Sequence, residues 1–192
     1  EQFLRNTNEL IYWHSGFLAI CAGMSALGIR RGIGALVWLV VPAVIALLFV
    51  LANFALEAGN VPATKAFLFS TKSMDFTAES VLMALGHAFF TLGVGVGVGI
   101  SFGAYAPDRI PVVRSVMVVA VFDTLVALLA GLAIFPVLFT TNMDPAMGPG
   151  LLFVSVPYAY GNILQGEVFG PLFFLLVVIA ALGSVVALME PV

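Results

Sequence analysis

Charge is what this sequence has least of. Only 9% of its 192 residues are Asp, Glu, Lys or Arg, against about 25% in a typical soluble domain. That scarcity excludes disorder, which needs a charge-rich, apolar-poor chain. Seven Lys and Arg stand against ten Asp and Glu, so there is no basic face for nucleic acid. A single cysteine, Cys21, excludes an internal disulfide. No His/Cys/Glu spacing points to a transition-metal centre and no Ser-His-Asp set points to hydrolysis, so nothing marks an enzyme. What is abundant is apolar: 62% of the residues, with a mean hydropathy of +1.16. An integral membrane protein is the class that remains.

The chain opens at Glu1, without Met or a signal-peptide pattern, and stops at Pro191-Val192 directly after an apolar run. It is expected to be one membrane domain, an internal fragment of a longer protein. A spanning helix needs about 20 mostly apolar residues. Five stretches qualify: 11–29, 36–56, 80–105, 112–139 and 169–189. A sixth, 150–163, contains Pro157 and is too short; it reads as an interfacial or re-entrant loop helix. Arg30 and Arg31 follow the first span, and Asp108, Arg109 and Arg114 follow the third. The connections after the second and fourth are longer, and the latter carries Asp144 and Glu167 but no Lys or Arg. The positive-inside rule puts the arginine-bearing turns in the cytoplasm. Tyr12 and Trp13 then fall where an outer aromatic belt would lie.

The third span breaks helical rules. Gly93, Gly95, Gly97 and Gly99 recur at every second position, each costing about 1 kcal/mol relative to Ala in a helix. A dinucleotide fingerprint needs a strand before it and a soluble βαβ unit around it, and neither is available. Gly95, Gly99 and Gly103 have small-xxx-small spacing, which lets helices pack closely. The alternative is a helix broken near Gly93–Gly97. Broken transporter helices expose backbone groups to a site near the bilayer midplane.

Asp123 lies deep in the fourth span, between the apolar runs 116–122 and 125–139. An intramembrane carboxylate costs about 2.5–3.5 kcal/mol or more unless solvated, paired or protonated, which marks a functional site. His87 is a second ionisable group inside a span, either a packing residue or a functional one. Ser184 can hydrogen-bond its own helix, or lend its hydroxyl, with nearby carbonyls, to a hard cation. Pro42 follows Gly32 by ten residues. It kinks its span, and opening there would admit water toward the bundle interior.

These residues together resemble one family, the neurotransmitter:sodium symporters. Gly86-His87-Ala88-Phe89-Phe90-Thr91-Leu92, the glycine-rich break and Tyr105 resemble that family's sixth helix. Asp123 through Pro136 resembles the seventh helix of bacterial members, Gly148 through Pro157 the outer loop, and Arg30-Arg31-Gly32 through Pro42 the fifth helix. The resemblance covers essentially the whole chain and implies helices four to eight of about twelve. The implied fold is an all-α polytopic membrane protein, part of an inverted-repeat transporter with a broken helix. The family is one of those on which the broken-helix rule itself rests.

The resemblance also implies roles. Phe90 closes over a small substrate, an amino acid or related amine, while Gly93 and Val96 line the pocket with Ser184 and Leu188 opposite. Thr91 and Asp123 contribute to one sodium site; the Ala180 carbonyl and the Ser184 hydroxyl contribute to a second. Tyr105 and Glu190 match a cytoplasmic gate. The missing helices, the lipid bilayer and sodium are the implied partners, in a bacterial plasma membrane. Some positions depart from the pattern. Gly183 sits where the family often offers sodium a second side-chain oxygen, and Val96 replaces a common aromatic. His87 replaces a glutamine associated with the chloride site of animal relatives. Anchored on Gly131, Asp123 takes the sodium-ligating asparagine position, whereas the chloride position itself is Ala127. Asp123 then supplies negative charge in place of chloride, either while ligating sodium or by taking up a proton. Two further readings stay open: a non-transporting packing or channel module, and a proton-coupled transporter that uses Asp123.

Overall fold

The structure is a computed structural model that describes residues 6–28, 32–70, 76–107, 109–145, 148 and 150–189. Its described elements are helical. They are α1 (Thr7–Ala26), α2 (Gly34–Ala58), α3 (Val61–Phe69), α4 (Ala78–Thr91), α5 (Val98–Ala104), α6 (Val112–Thr140), α7 (Val156–Gly161) and α8 (Gly166–Met189). A π-helical turn, Leu151–Ser155, leads into α7. Among the described residues, α2, α6 and α8 are long and apolar enough to cross a membrane. Helix α1 has 20 residues, but Asn8, Glu9, His14 and Ser15 make its first half more polar. The stretch 80–105 is not one helix: it divides into α4 and α5.

Helix starts follow local chemistry. Side-chain oxygens of Asn6, Asn60 and Thr77 accept from the Glu9, Ala63 and Ser80 amides, capping α1, α3 and α4. Each satisfies one of the four amides that a helix start leaves without an intrahelical partner. Pro62 sits in the first turn of α3, where its missing N–H costs nothing.

Helix α2 is the central post, packed on α6 and α8, while α1 packs on α8. One cluster joins Leu48, Leu51 and Phe54 of α2 to Ala133 and Val137 of α6, Tyr160 of α7, and Phe173 and Leu176 of α8. A second joins Cys21, Ile33, Leu36 and Val186. That cluster gathers the last turns of α1 and α8 and the first of α2, so α2 runs opposite to both. The Asn60 amide donates to the Pro136 carbonyl at 2.8 Å, placing the far ends of α2 and α6 together. These directions agree with the alternation that the arginines demand. With lipid as the alternative neighbour, close packing rather than water exclusion holds such helices together.

Aromatic pairs pin the end of the bundle that holds the Asn60–Pro136 contact. Phe54 stacks on Phe169 with centroids 3.7 Å apart, and Phe67 of α3 meets Phe135 of α6 at 4.8 Å. Such pairs contribute about 0.5–1.5 kcal/mol beyond their buried area. Tyr160 is 2% exposed, and burial pushes its phenol up to about 12. A raised phenol stabilises the fold fully below the ordinary value of 10.0, and that contribution is lost as pH climbs through the folded value. Phenolate absorbance should therefore show one of the four tyrosines ionising only near pH 12, and Tyr160→Phe should remove that step. Ionisation of every tyrosine near pH 10 would show the site to be hydrated.

Candidate functional site

The site begins where α4 stops. The Leu92 amide still bonds the Ala88 carbonyl at 3.2 Å, but the next amides turn back on themselves: Gly93 donates to Phe90 O and Val94 to Phe89 O. Gly93, Gly95 and Gly97 have φ of +66°, +85° and +87°, a left-handed backbone that costs other residues roughly 1–2 kcal/mol each. The alternation of glycines is therefore the sequence of a break, and Gly97 caps α5. Gly99 and Gly103 lie inside α5 with open space around them, so no close helix contact uses them in this structure.

Two substitutions separate backbone conformation from packing, because neither added Cβ meets anything within 4 Å. Gly99→Ala should slow amide exchange at residues 100–104 about fivefold, the ~1 kcal/mol by which Ala exceeds Gly in a helix. Gly97→Ala should speed it by about 5–30-fold, through the ~1–2 kcal/mol left-handed penalty. Equal slowing in both would show that the left-handed turn is not required.

Thr91, the last residue of α4, reaches across to α6. Its hydroxyl donates to Asp123 Oδ1 at 3.0 Å. Asp123 in turn lines a cleft of about 520 Å³ between α2, α6 and α8. Its walls are valines and Ile45 of α2, with Val119, Phe122 and Val126 of α6. Asp123 and Ser184 supply the only polar side chains among its lining residues, joined by Ala180 and Gly183. The Ser184 hydroxyl donates to the Ala180 carbonyl at 3.2 Å, the own-helix bond open to any helical serine. The Ser184 hydroxyl oxygen keeps lone pairs for a further donor or a cation. At Gly183 α8 lies against α2: a Cβ there would stand in contact with Val40 Cγ1, at 3.4 Å.

The fold thus brings Thr91 to Asp123, and Asp123, Ala180 and Ser184 to one cleft. It leaves the remaining residues apart. Phe90, Val96, Leu188 and Tyr105 are 83, 51, 47 and 61% exposed, His87 is exposed, and Gly93 is half-buried in the break. None of these lines the cleft. No residue of α4 or α5 is buried. Glu190, with Arg30, Arg31 and Asp108, lies outside the described residues. Among the described residues no three His, Cys, Asp or Glu gather as metal ligands. The polar atoms at this site are all oxygens, a donor set for hard cations rather than soft ones. The valine wall of α2 was invisible in sequence, since nothing marks which face of an all-apolar helix borders a cleft.

Known proteins align with this chain along most of its length. An uncharacterised sodium-dependent transporter of Bacillus subtilis is 33% identical over 174 residues, 91% of this chain and 39% of the relative. One from Methanocaldococcus jannaschii is 28% identical over 181 residues, 89% of this chain and 37% of the relative. The sodium-dependent nutrient amino acid transporter 1 of Drosophila grimshawi is 34% identical over 119 residues, 57% of this chain and 19% of the relative. The chain thus spans about two fifths, or less, of the length of these relatives. The sodium:neurotransmitter symporter family, a family of transporters rather than enzymes, matches residues 6–192, and this chain belongs to that family.

Proposed function

We propose that the chain is the central part of a sodium-coupled symporter for amino acids or related amines, working by alternating access. The Thr91–Asp123 hydrogen bond carries this reading. It sets a hydroxyl and a carboxylate side by side where a helix is interrupted, at the edge of a cleft in an apolar bundle. A pure packing module has no use for a carboxylate there, given its desolvation cost.

In this reading Thr91 and Asp123 hold one sodium ion, and the Ala180 carbonyl with the Ser184 hydroxyl contributes to a second. The break at Gly93–Gly97 turns the negative end of α4 toward cations and the positive end of α5 toward a substrate carboxylate. Phe90 and Val96 border the substrate, Leu188 stands opposite, and Tyr105 pairs with Glu190 as the cytoplasmic gate. His87 and Asp123 tune the charge near the ion, Asp123 standing in for chloride. Sodium drives uptake only if it binds the outward, substrate-competent state more tightly than the inward one.

The test is uptake of a radiolabelled amino-acid panel by the full-length parent protein in proteoliposomes. Uptake that needs an inward sodium gradient supports the symporter. Uptake driven by a pH gradient without sodium would transfer the coupling to a proton on Asp123. No uptake under either gradient would sink the amino-acid reading.

A further inference from the structure

A second pocket, of about 410 Å³, lies at the opposite end of the bundle from Gly32 and Ile33. It is lined by Phe54, Glu57 and Ala58 at the end of α2, Thr140 at the end of α6, and the turn from Asn162 to Gln165. Its volume is within the range of about 300–1,000 Å³ found for small-molecule sites. No Lys or Arg is among its described lining residues.

A carboxylate, a hydroxyl and two side-chain amides, those of Asn162 and Gln165, give this pocket its polar groups, with Glu57 the one charged group among the described lining residues. The Thr140 hydroxyl donates its proton to the Pro136 carbonyl at 2.9 Å. The Asn162 amide nitrogen donates to the Tyr158 carbonyl at 2.7 Å. The Thr140 hydroxyl has thus directed its one proton inward and offers a ligand its lone pairs, while Asn162 offers its carbonyl oxygen and its second amide N–H. The amides of Asn60 and Val61 go to the carbonyls of Pro136 and Gly59, not back to those of Leu56 and Glu57 as helical continuation would require. The ends of α2 and α6 also carry the negative pole of the helix dipole. The Glu57 carboxylate adds a full negative charge to this set of acceptors. Ile163, Leu164 and the edge of Phe54 complete an apolar wall.

The geometry points to a binding site for small organic ammonium ions: the ammonium donates to Glu57, Asn162 and Thr140 oxygens, and a short alkyl chain lies on Ile163 and Leu164. The site is separate from the Asp123 cleft and does not depend on the transport reading. The connection to the Asn60–Pro136 contact means that an occupant would also brace α2 against α6.

The probe is n-butylammonium, titrated by ligand-observed NMR against the full-length parent in nanodiscs, with n-butanol as the neutral comparison. Saturable binding of the ammonium is expected, weakened at least tenfold by Glu57→Gln and unchanged by Asp123→Asn. Leu164→Trp, which fills the pocket mouth without touching the charge, should weaken binding as well and covers the case in which Glu57→Gln does not fold. Absent binding, equal binding of butanol, or binding lost in Asp123→Asn but kept in Glu57→Gln would each overturn the assignment. The last of these would move the ammonium site to the transport cleft.

Discussion

Asp123→Asn should weaken the apparent sodium affinity of uptake by the full-length protein by about 10–100-fold. Asparagine keeps the size of the side chain, and its oxygen can still accept from the Thr91 hydroxyl, now 3.0 Å from Asp123 Oδ1. What it removes is the charge. Interactions with a charged group contribute about 1.5–3 kcal/mol, and each 1.4 kcal/mol is tenfold in affinity. Thr91→Val removes the hydroxyl and leaves the charge, so its effect should be smaller. Because the two side chains touch, the double variant should be non-additive, as contacting residues are. If Asp123 supplies from its own position the negative charge that chloride would otherwise supply, added chloride should partly restore Asp123→Asn and leave the wild type unaffected. Sodium dependence unchanged in Asp123→Asn would remove Asp123 from the ion machinery.

The largest effect on stability is expected far from that cleft, at Gly59. A Cβ there would collide with the Pro136 carbonyl carbon, and would lie 2.5 Å from the Ala55 oxygen and 2.6 Å from Pro136 Cβ. Two of these three are backbone atoms and cannot rotate away. Gly59→Ala must therefore separate α2 from α6, losing the Asn60–Pro136 hydrogen bond of 2.8 Å. Overpacking costs about 1–3 kcal/mol and a hydrogen bond about 0.5–1.5 kcal/mol, so a loss of roughly 2–4 kcal/mol is expected. For a protein of this size that lowers the Tm by roughly 5–15 °C. Gly23→Ala in α1, with open space around it, is the control and should not destabilise. A thermal melt of the purified protein in detergent reads both. Equal Tm values would show that the ends of α2 and α6 are not in contact.

Much of this protein was legible in one dimension. Apolar runs long enough to span are local features, because a bilayer sets the length and the chain must meet it. The helix break was legible as well: glycine at every second position suits a left-handed backbone and no regular helix. Asp123 announced itself by the cost of placing a carboxylate among apolar residues. The small-xxx-small reading of Gly99 and Gly103 finds no packed neighbour in the structure, since spacing records what a helix face permits and not what lies against it.

Only the tertiary structure decided which residues meet. Thr91 and Asp123 are 32 positions apart, and no local preference couples a hydroxyl to a carboxylate across that distance. Gly59 follows directly on α2, and its constraint is the backbone of Pro136, brought there by the packing of α2 on α6. The pocket around Glu57 forms from three chain segments, the ends of α2 and α6 and the turn 162–165. Composition and spacing determine where the chain turns helical and where it is uncomfortable, because those costs are paid residue by residue. Partners across the bundle depend on how whole helices pack, and that is a property of the fold alone.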